Sequence, residues 1–391
     1  MLYSRSFILM AMANMFTMAS ISSFFLLPLF ITRHGGTEAD IGIMMAVFTF
    51  ASILSRPWIS EMIDRIGRKR SYTVACIVLF LTPLVYPVFK GTLSSFYFPM
   101  ILVRIVHGVG LALSFTSVIT YISDIIPEGR LNEGIGMFGV TALMSLALGP
   151  IFAELMIRHF GFSIFFFSAS GLAFMGFLFH LPLKETYIHQ SGAPVQSFFS
   201  ILKDKKSYFV LVLAFMFGFG MSAIFGFVAP FAEEKRMTFI SLFYIFYSAG
   251  AILMRLFGGR LADRVGEERI IPYGFAITGC GLLSIIPLNG VPILILSGFL
   301  AGSGHGLLYP CLNALAIRDQ PADIRGKIIG IFTGGLDAGI FIGSMVLGYA
   351  GKWFGFQVLF LIAGLPLFMG LLIFRFQSKH HRESKTRLKG F

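Results

Sequence analysis

Charged residues are scarce in this sequence, and their scarcity excludes a water-soluble protein. Asp, Glu, Lys and Arg make up 13% of the 391 residues, about half of the share found in soluble domains. Hydrophobic residues make up 56%. A soluble fold would therefore need a hydrophobic core larger than single domains sustain.

Cysteines are also few, and the chain lacks the sequence patterns of an enzyme. Cys76, Cys280 and Cys311 lie far apart inside apolar runs, at spacings that match neither a metal site nor a disulfide framework. No Ser/His/Asp set, phosphate loop or nucleotide-binding motif is present. We therefore expect no enzymatic activity, no metal, no cofactor and no ATP-driven pumping.

The sequence instead contains about twelve apolar runs, each near the roughly 20 residues that a helix needs to cross a bilayer. The runs are too long and too uniformly apolar for barrel strands, which alternate over about ten residues. We predict an all-α membrane protein with twelve transmembrane helices. The predicted helices cover 7–32, 42–60, 72–89, 96–121, 134–157, 163–182, 207–231, 240–258, 270–287, 291–316, 328–351 and 357–376.

The Lys and Arg residues are distributed unevenly around these helices. With the N-terminus in the cytosol, six of the 31 fall in external loops and one, Arg104, lies deep inside a span. The remaining 24 are on the cytoplasmic side, where Arg56, Arg255 and Arg375 lie near the cytoplasmic ends of spans. This positive-inside bias predicts that both termini are cytoplasmic in the plasma (inner) membrane. The bias and a basic tail near anionic lipid explain the net charge of +12, so we expect lipid partners and no nucleic acid.

A charged phrase occurs twice, half a chain apart: "DRIGRKR" at 64–70 and "ADRVGEER" at 262–269. The phrases align at an offset of 199 residues, and later matches, such as Gly108 with Gly302, align at 194. Two six-helix repeats in the same orientation are typical of transporters. The predicted organisation is an N-terminal half at 1–182, a cytoplasmic linker at 183–206, a C-terminal half at 207–376 and a basic cytoplasmic tail at 377–391.

The repeated phrase resembles the loop motif of the major facilitator superfamily, G-x-x-x-D-R-x-G-R-[RK]-[RK]. The resemblance implies a twelve-helix transporter similar to bacterial proton-linked efflux proteins, in which this loop gates the cytoplasmic side. It also implies that Arg68 pairs with Asp124 and that the Asp64 side chain lies against the N-terminus of the eleventh helix. Alternatively, these charges only set topology. The gating set is Asp64, Arg65, Gly67, Arg68 and Asp124, with Asp263, Arg264 and Gly266 in the second copy, where Glu267 replaces a base.

The fourth helix resembles the R-x-x-Q-G-x-G motif of proton-linked efflux families. It carries Arg104, Gly108 and Gly110, with His107 in place of the glutamine. Arg104 and His107 are three residues apart and share a face. An arginine at this depth is costly unless it faces a wet cavity or a partner. We expect a role in coupling, the alternatives being a structural Arg104 bonded to backbone carbonyls and a His107 that takes over the glutamine's hydrogen bonds.

The fifth helix resembles the antiporter motif G-x8-G-x3-G-P-x2-G-G. Gly136, Gly149 and Pro150 match it, and Glu154 stands in place of the last glycine. Small residues let helices approach closely. The resemblance to an antiporter motif implies export. Glu154 either titrates with protons or pairs with Arg158 one turn later, and we favour the pairing.

Asp337 lies near the middle of the eleventh helix, among several glycines. A carboxylate at that depth is protonated, paired or functional. We predict a role in proton coupling or substrate contact, with an interhelical hydrogen bond of the neutral acid as the alternative.

The resemblance implies that the first, fourth, seventh and tenth helices line a central cavity. The tenth helix places His305, Tyr309 and Asn313 on one stripe, because they are spaced four residues apart. Asn14 on the first helix joins this predicted substrate cavity. A histidine that only packs is the alternative for His305.

These features together predict a proton-coupled antiporter that exports a small amphipathic or drug-like molecule or metabolite by alternating access. We expect a monomer whose partners are this substrate and protons. The alternatives are a symporter or uniporter for a small metabolite, including a zwitterion or metallophore, and a lipid flippase.

Overall fold

The computed structural model describes residues 3–127, 130–186, 205–318, 320 and 325–388. Most of the predicted linker and the side chains of the predicted tail lie outside the described part. Within that part all regular structure is helical. The helices are α1 Arg5–Ser23, α2 Leu27–Arg33, α3 Glu38–Ile66, α4 Arg68–Leu81, α5 Leu93–Ile125, α6 Leu131–Phe160, α7 Phe162–His180, α8 Lys205–Gly226, α9 Val228–Glu234, α10 Ser241–Val265, α11 Glu267–Ser284, α12 Val291–Ile317 and α13 Arg325–Leu388.

The helices reproduce the predicted spans, so the all-α, twelve-helix prediction is confirmed. Ten helical segments of the described residues are long and apolar enough to cross a membrane. The last of them, in α13, breaks at Gly355, whose φ of 80° divides it into two spans. Helix α11 supplies the remaining predicted span.

The first span of each half is broken in the same way. Helices α1 and α2 are separated by a short 3₁₀ turn, and α2 begins with Pro28 in its first turn. Helices α8 and α9 are separated at Phe227, and Pro230 lies in the first turn of α9. Proline suits this position because the first turn has no intrahelical acceptor for its missing N–H. The duplication therefore extends to the geometry of the breaks.

Glycine ends the second span of each half, as the repeated phrase predicts. Gly67 lies between α3 and α4 with a φ of 101°, and Gly266 lies between α10 and α11 with a φ of 86°. Other residues adopt such angles only at a cost in free energy. The two glycines let the chain reverse within one residue, so the charges on either side stay at the same end of the helix pair.

Small residues bring particular helices into backbone contact. A Cβ atom on Gly149 of α6 would lie 2.2 Å from Ser22 Oγ, and one on Gly339 of α13 would lie 2.1 Å from the Phe215 carbonyl oxygen. Helix α6 therefore packs closely on α1, and α13 packs closely on α8. Gly136, which belongs to the same predicted motif as Gly149, has open space around it.

By their internal contacts, the residues fall into two compact units. The first comprises Met1–Ala193 and Gly226–Ser248, and the second comprises Pro194–Phe225 and Ala249–Phe391. Helix α9 and the start of α10 thus pack with the helices of the first unit. The predicted halves 1–182 and 207–376 follow the sequence repeat, whereas the two compact units follow the contacts between residues.

Candidate functional site

The first charged phrase forms an ion pair at the base of α4. Arg68 is the first residue of α4, and its Nε lies 3.2 Å from Asp124 Oδ2 near the end of α5. The Arg68 side chain is mostly buried, while Asp64 is exposed and lies 3.9 Å from it. The pairing of Arg68 with Asp124 that the resemblance implies is therefore present. The residues just before α13, which Asp64 was expected to approach, lie outside the described part.

Glu185 also holds this corner, and sequence reasoning missed it. Its carboxylate accepts hydrogen bonds from three backbone N–H groups at the start of α4, those of Arg68 at 2.8 Å, Lys69 at 3.2 Å and Arg70 at 3.3 Å. These N–H groups have no intrahelical acceptor, and the helix dipole favours an anion there. Glu185 follows α7, so it connects α4 to the end of the first half. No motif marks it in the sequence.

The second charged phrase forms the same pair with the charges exchanged. Glu267, the first residue of α11, lies 2.5 Å from Arg318, which directly follows α12. Arg68 and Glu267 are related by the repeat offset of 199 residues, and Asp124 and Arg318 by the offset of 194. The acid at 267, which departs from the motif, is therefore matched by a base at 318. Asp263 lies outside the described side chains, and Arg264 is exposed.

The exchanged pair predicts the outcome of a charge swap. Glu267→Arg and Arg318→Glu should each lower the free energy of unfolding by about 1–3 kcal/mol, because each places two like charges together at a partly buried position. The double variant should recover most of that loss. Thermal unfolding in detergent checks this as a double-mutant cycle. The exposed pair Arg65–Glu61 is the matched control, since its swap should be nearly neutral. Losses that simply add in the double variant would contradict the pairing.

Arg104 is buried, and its hydrogen bonds go to α3. Its Nε donates a hydrogen bond to the Met44 carbonyl oxygen at 3.0 Å, and its guanidinium lies 4.2 Å from the centre of the Phe48 ring. No acid pairs with it in the described part of the chain. Nη1 has no partner at hydrogen-bond distance there, although the buried Tyr86 phenol lies within interaction range. The contact with a carbonyl fits the structural alternative, but it leaves part of the guanidinium unused.

His107 lies beside Arg104 in an aromatic environment. Its ring packs edge-on against Phe24 at 4.5 Å and Phe48 at 5.3 Å between centroids. Neither ring nitrogen has a hydrogen-bond partner among the described residues. His107 therefore does not take over the hydrogen bonds of the glutamine in this conformation, because aromatic rings surround it where the alternative required polar groups.

The predicted stripe on α12 is present, and it contacts α8, α10 and α13 of its unit, the last through Tyr309 and Phe332, whose ring centroids lie 5.3 Å apart. His305 lies 5.5 Å from Phe217 of α8 and 5.9 Å from Tyr309, measured between ring centroids. The Tyr309 ring also contacts Arg255 of α10, at 5.9 Å. Asn313, one turn further on, is half-buried, and its Oδ1 has no hydrogen-bond partner in the described part. Arg255 thus joins this polar stripe.

Asn14 has a packing contact. Its Nδ2 donates a hydrogen bond to Thr141 Oγ1 at 3.1 Å, and the residue is 2% exposed. Nearby, Ser145 Oγ of α6 donates to the Met15 carbonyl oxygen at 2.8 Å. These bonds hold α1 against α6, along the face that carries Gly149. In this conformation the Asn14 side chain therefore connects two helices of the first unit.

Asp337 is half-buried on the glycine-rich face of α13. A Cβ atom on Gly218 of α8 would lie 1.9 Å from the carbonyl oxygen of Leu336, the residue before Asp337. On either side, a Cβ atom on Gly335 would lie 2.8 Å from the Leu211 carbonyl oxygen, and one on Gly339 would lie 2.1 Å from that of Phe215. The backbone that carries the carboxylate is therefore fixed by direct contact with α8.

The predicted pairing of Glu154 with Arg158 is wrong. The Glu154 carboxylate instead accepts hydrogen bonds from the backbone N–H groups of Ile240 and Ser241, both at 2.8 Å. Arg158 donates to the Thr238 carbonyl oxygen. Both side chains bind backbone groups of a loop about 80 residues away instead of each other. The four-residue spacing of Glu154 and Arg158 on the helix does not reveal these distant partners. In the described residues no cluster of three His, Cys, Asp or Glu side chains could hold a metal.

A duplicated bundle of membrane-spanning helices, with paired charges at the ends of corresponding helices, defines a membrane transporter. The chain belongs to the Major Facilitator Superfamily, whose sequence profile matches residues 7–316 and 237–390. It is an integral membrane protein and not an enzyme.

The sequence is also similar to proteins named for drug resistance and export. The chain is 24% identical over 368 residues to multidrug resistance protein MdtG of Klebsiella pneumoniae, which covers 88% of this chain and 86% of that one. It is 24% identical to multidrug resistance protein 2 of Bacillus subtilis, covering 88% of each chain. It is 25% identical to the staphylopine export protein of Staphylococcus aureus, again over 88% of each.

Solved structures share the fold. The nucleoside transporter NupG superposes with a TM-score of 0.76 at 15% identity, covering 94% of this chain and 98% of that one. A bacterial homologue of the lysosomal transporter Spinster gives a TM-score of 0.78 at 13% identity, covering 96% and 97%. At these identities the likeness concerns the fold alone.

Proposed function

We propose that this protein is a proton-coupled antiporter that exports a small amphipathic or drug-like molecule or metabolite by alternating access. The observation that carries the proposal is a buried Arg104 with no acid partner among the described residues, in a helix that spans the membrane. A charge at such depth costs several kcal/mol, and it is kept where it serves a substrate or ion pathway. Two relatives with multidrug names, at 24% identity, support export.

Asp337 supplies the second element of the proposal. It is half-buried within a span, beside glycines that press α13 onto α8. Binding and release of a proton at this carboxylate changes the charge that the helix pair carries. That change favours one cavity state over the other, as coupling requires. Arg104 and Asp337 therefore carry coupling in this proposal, and His305, Tyr309 and Asn313 contact substrate.

The proposed topology follows from the charge distribution. Both termini lie in the cytoplasm, and the loops with the ion pairs at Arg68 and Glu267 lie on that side of the plasma membrane. The corner that includes Asp64, Gly67 and Glu185 then acts as a cytoplasmic gate. We propose that the protein works as a monomer, with membrane lipid around its apolar surface.

A zwitterionic metabolite or a metallophore is the second candidate substrate. The chain carries a basic residue, Arg104, and an acidic residue, Asp337, within membrane spans, and ionisable side chains of both kinds suit a substrate with both charges. The similarity to a staphylopine export protein, at 25% identity, supports this candidate.

Transport by purified protein in liposomes tests the proposal. A panel of amphipathic cations, zwitterions and lipids is applied under imposed pH gradients of either sign. We expect accumulation of one class against its gradient, in exchange for protons moving the other way. Movement of substrate and protons in the same direction would identify a symporter, and transport without proton movement a uniporter. Transfer of lipid between leaflets would identify a flippase.

A further inference from the structure

Glu154 of α6 caps the first turn of α10. Its two carboxylate oxygens accept one hydrogen bond each, from the N–H groups of Ile240 and Ser241, both at 2.8 Å. Helix α10 begins at Ser241, so these donors have no acceptor within their own helix. The residue before the helix is Ile240, whose apolar side chain cannot accept a hydrogen bond. A side chain 86 residues away in sequence therefore does what a local cap usually does.

Arg158 holds the same loop one turn further along α6. It donates a hydrogen bond to the Thr238 carbonyl oxygen, and its guanidinium lies 4.7 Å from the centre of the Phe239 ring. Residues four apart on a helix share a face, so Glu154 and Arg158 bind the loop 238–241 from the same side of α6. Hydrogen bonds to charged groups are roughly twice as strong as neutral ones.

The loop 238–241 belongs to the second half of the sequence repeat, although it packs within the first compact unit. Helix α6 lies in the predicted half 1–182, and the loop 238–241 connects the first two spans of the predicted half 207–376. Other contacts join the same region. The ring centroids of Phe25 and Tyr244 lie 5.6 Å apart, and α2 packs against α9. The charge distribution places all of these residues at the external end of the helices.

We propose that Glu154 and Arg158 form an outer latch that keeps the external side of the transporter closed. The latch must release α10 before the cavity opens to the outside, because alternating access separates the external ends of the two repeats. This inference rests on the alternating-access cycle of the proposed function. Its test needs neither a substrate nor a proton gradient, so failure of the latch and failure of the proposed coupling are distinguishable.

The experiment measures how fast a buried external position becomes accessible. Cys76, Cys280 and Cys311 are replaced by serine or alanine, and Ala232 of α9, which is fully buried, is replaced by cysteine. A membrane-impermeant maleimide is then applied to the outside of intact cells. We expect slow labelling with the native latch and labelling faster by about tenfold or more in Glu154→Ala, since a hydrogen bond to a charged group contributes on the order of tenfold to an equilibrium. Arg158→Ala should change the rate in the same direction.

Glu234→Ala is the matched control. Glu234 is an exposed carboxylate on α9 whose ion pair is with the adjacent Lys235, so its removal should leave the labelling rate unchanged. Glu154→Gln keeps the shape of the side chain and decides the question if Glu154→Ala does not reach the membrane; it should label at a rate between native and alanine. Full labelling in denaturing detergent verifies equal protein in every sample. Native rates in both Glu154 variants, or equal acceleration in Glu234→Ala, would overturn the latch.

Discussion

Replacing Asp337 with asparagine should abolish transport driven by a pH gradient while leaving substrate exchange intact. Asparagine has the shape of the protonated acid and cannot release a proton. A charged carboxylate within a membrane span is costly, and protonation removes that cost, so the proton decides which state of the α8–α13 pair is favoured. A variant that is always neutral still binds substrate and moves between states. It has lost the differential free energy that links protons to substrate.

Two assays in the same liposomes separate these effects. Equilibrium exchange of labelled substrate should proceed at a rate close to native in Asp337→Asn. Accumulation against a gradient should fall to the passive level and lose its dependence on pH. Glu61→Gln is the control, because it neutralises an exposed acid on α3 and should leave both assays unchanged. Uphill accumulation by Asp337→Asn with normal pH dependence would show that coupling lies elsewhere in the chain.

Features encoded by neighbouring residues could be predicted from the sequence. The spans follow from continuous apolar runs, and the turns at Gly67 and Gly266 follow from a residue that tolerates positive φ. The internal repeat placed the two charged phrases at equivalent ends of equivalent helices. The contact between Arg68 and Asp124 came from the family resemblance, which carries information about distant pairs that one sequence does not contain.

Contacts between residues far apart in sequence were missed for a physical reason. Glu154 could satisfy its charge with Arg158 four residues away, and nothing local reveals that two backbone N–H groups 86 and 87 residues away are better placed. The carboxylate of Glu185 and the start of α4 are a similar case. His107 shows the converse, since its polar neighbours were inferred from the residue it replaces and the structure surrounds it with Phe24 and Phe48 instead.

The pair Glu267–Arg318 lies between these cases. Glu267 alone departs from the motif, which has a base at that position. Arg318 alone differs in charge from Asp124, its counterpart in the first half. The repeat offsets 199 and 194 relate the two positions to Arg68 and Asp124, so the exchange could have been found by comparing both members of the pair at once. The position of an ion pair can thus persist through duplication while the signs of its charges do not.

Replacing Arg104 with methionine should lower the transport rate by about tenfold or more without destabilising the protein. Methionine fills much of the same volume without charge, and apolar replacement of a buried charged group is often neutral or stabilising. It also keeps contact with the Phe48 ring while it loses the hydrogen bond to the Met44 carbonyl oxygen. If Arg104 only holds α5 against α3, the variant should transport at nearly the native rate. If its charge serves substrate or proton coupling, transport should fall by about tenfold or more, which corresponds to about 1.4 kcal/mol in the barrier.

Arg104→Lys provides the matched comparison. Lysine keeps the charge but lacks the planar guanidinium that stacks on Phe48 and donates in several directions, so it should retain part of the transport and have lower thermal stability. The measurement is the initial rate of transport beside the unfolding temperature of each variant in detergent. The expected order of transport is native, then lysine, then methionine, whereas the expected order of stability places methionine at or above native and lysine below it. Different orders in the two assays separate the contribution of the Arg104 charge from the contribution of its packing. If Arg104 were only structural, the transport rates of the variants would follow their stabilities. Native transport by a stable Arg104→Met would assign Arg104 to packing alone and leave Asp337 as the charge that carries coupling.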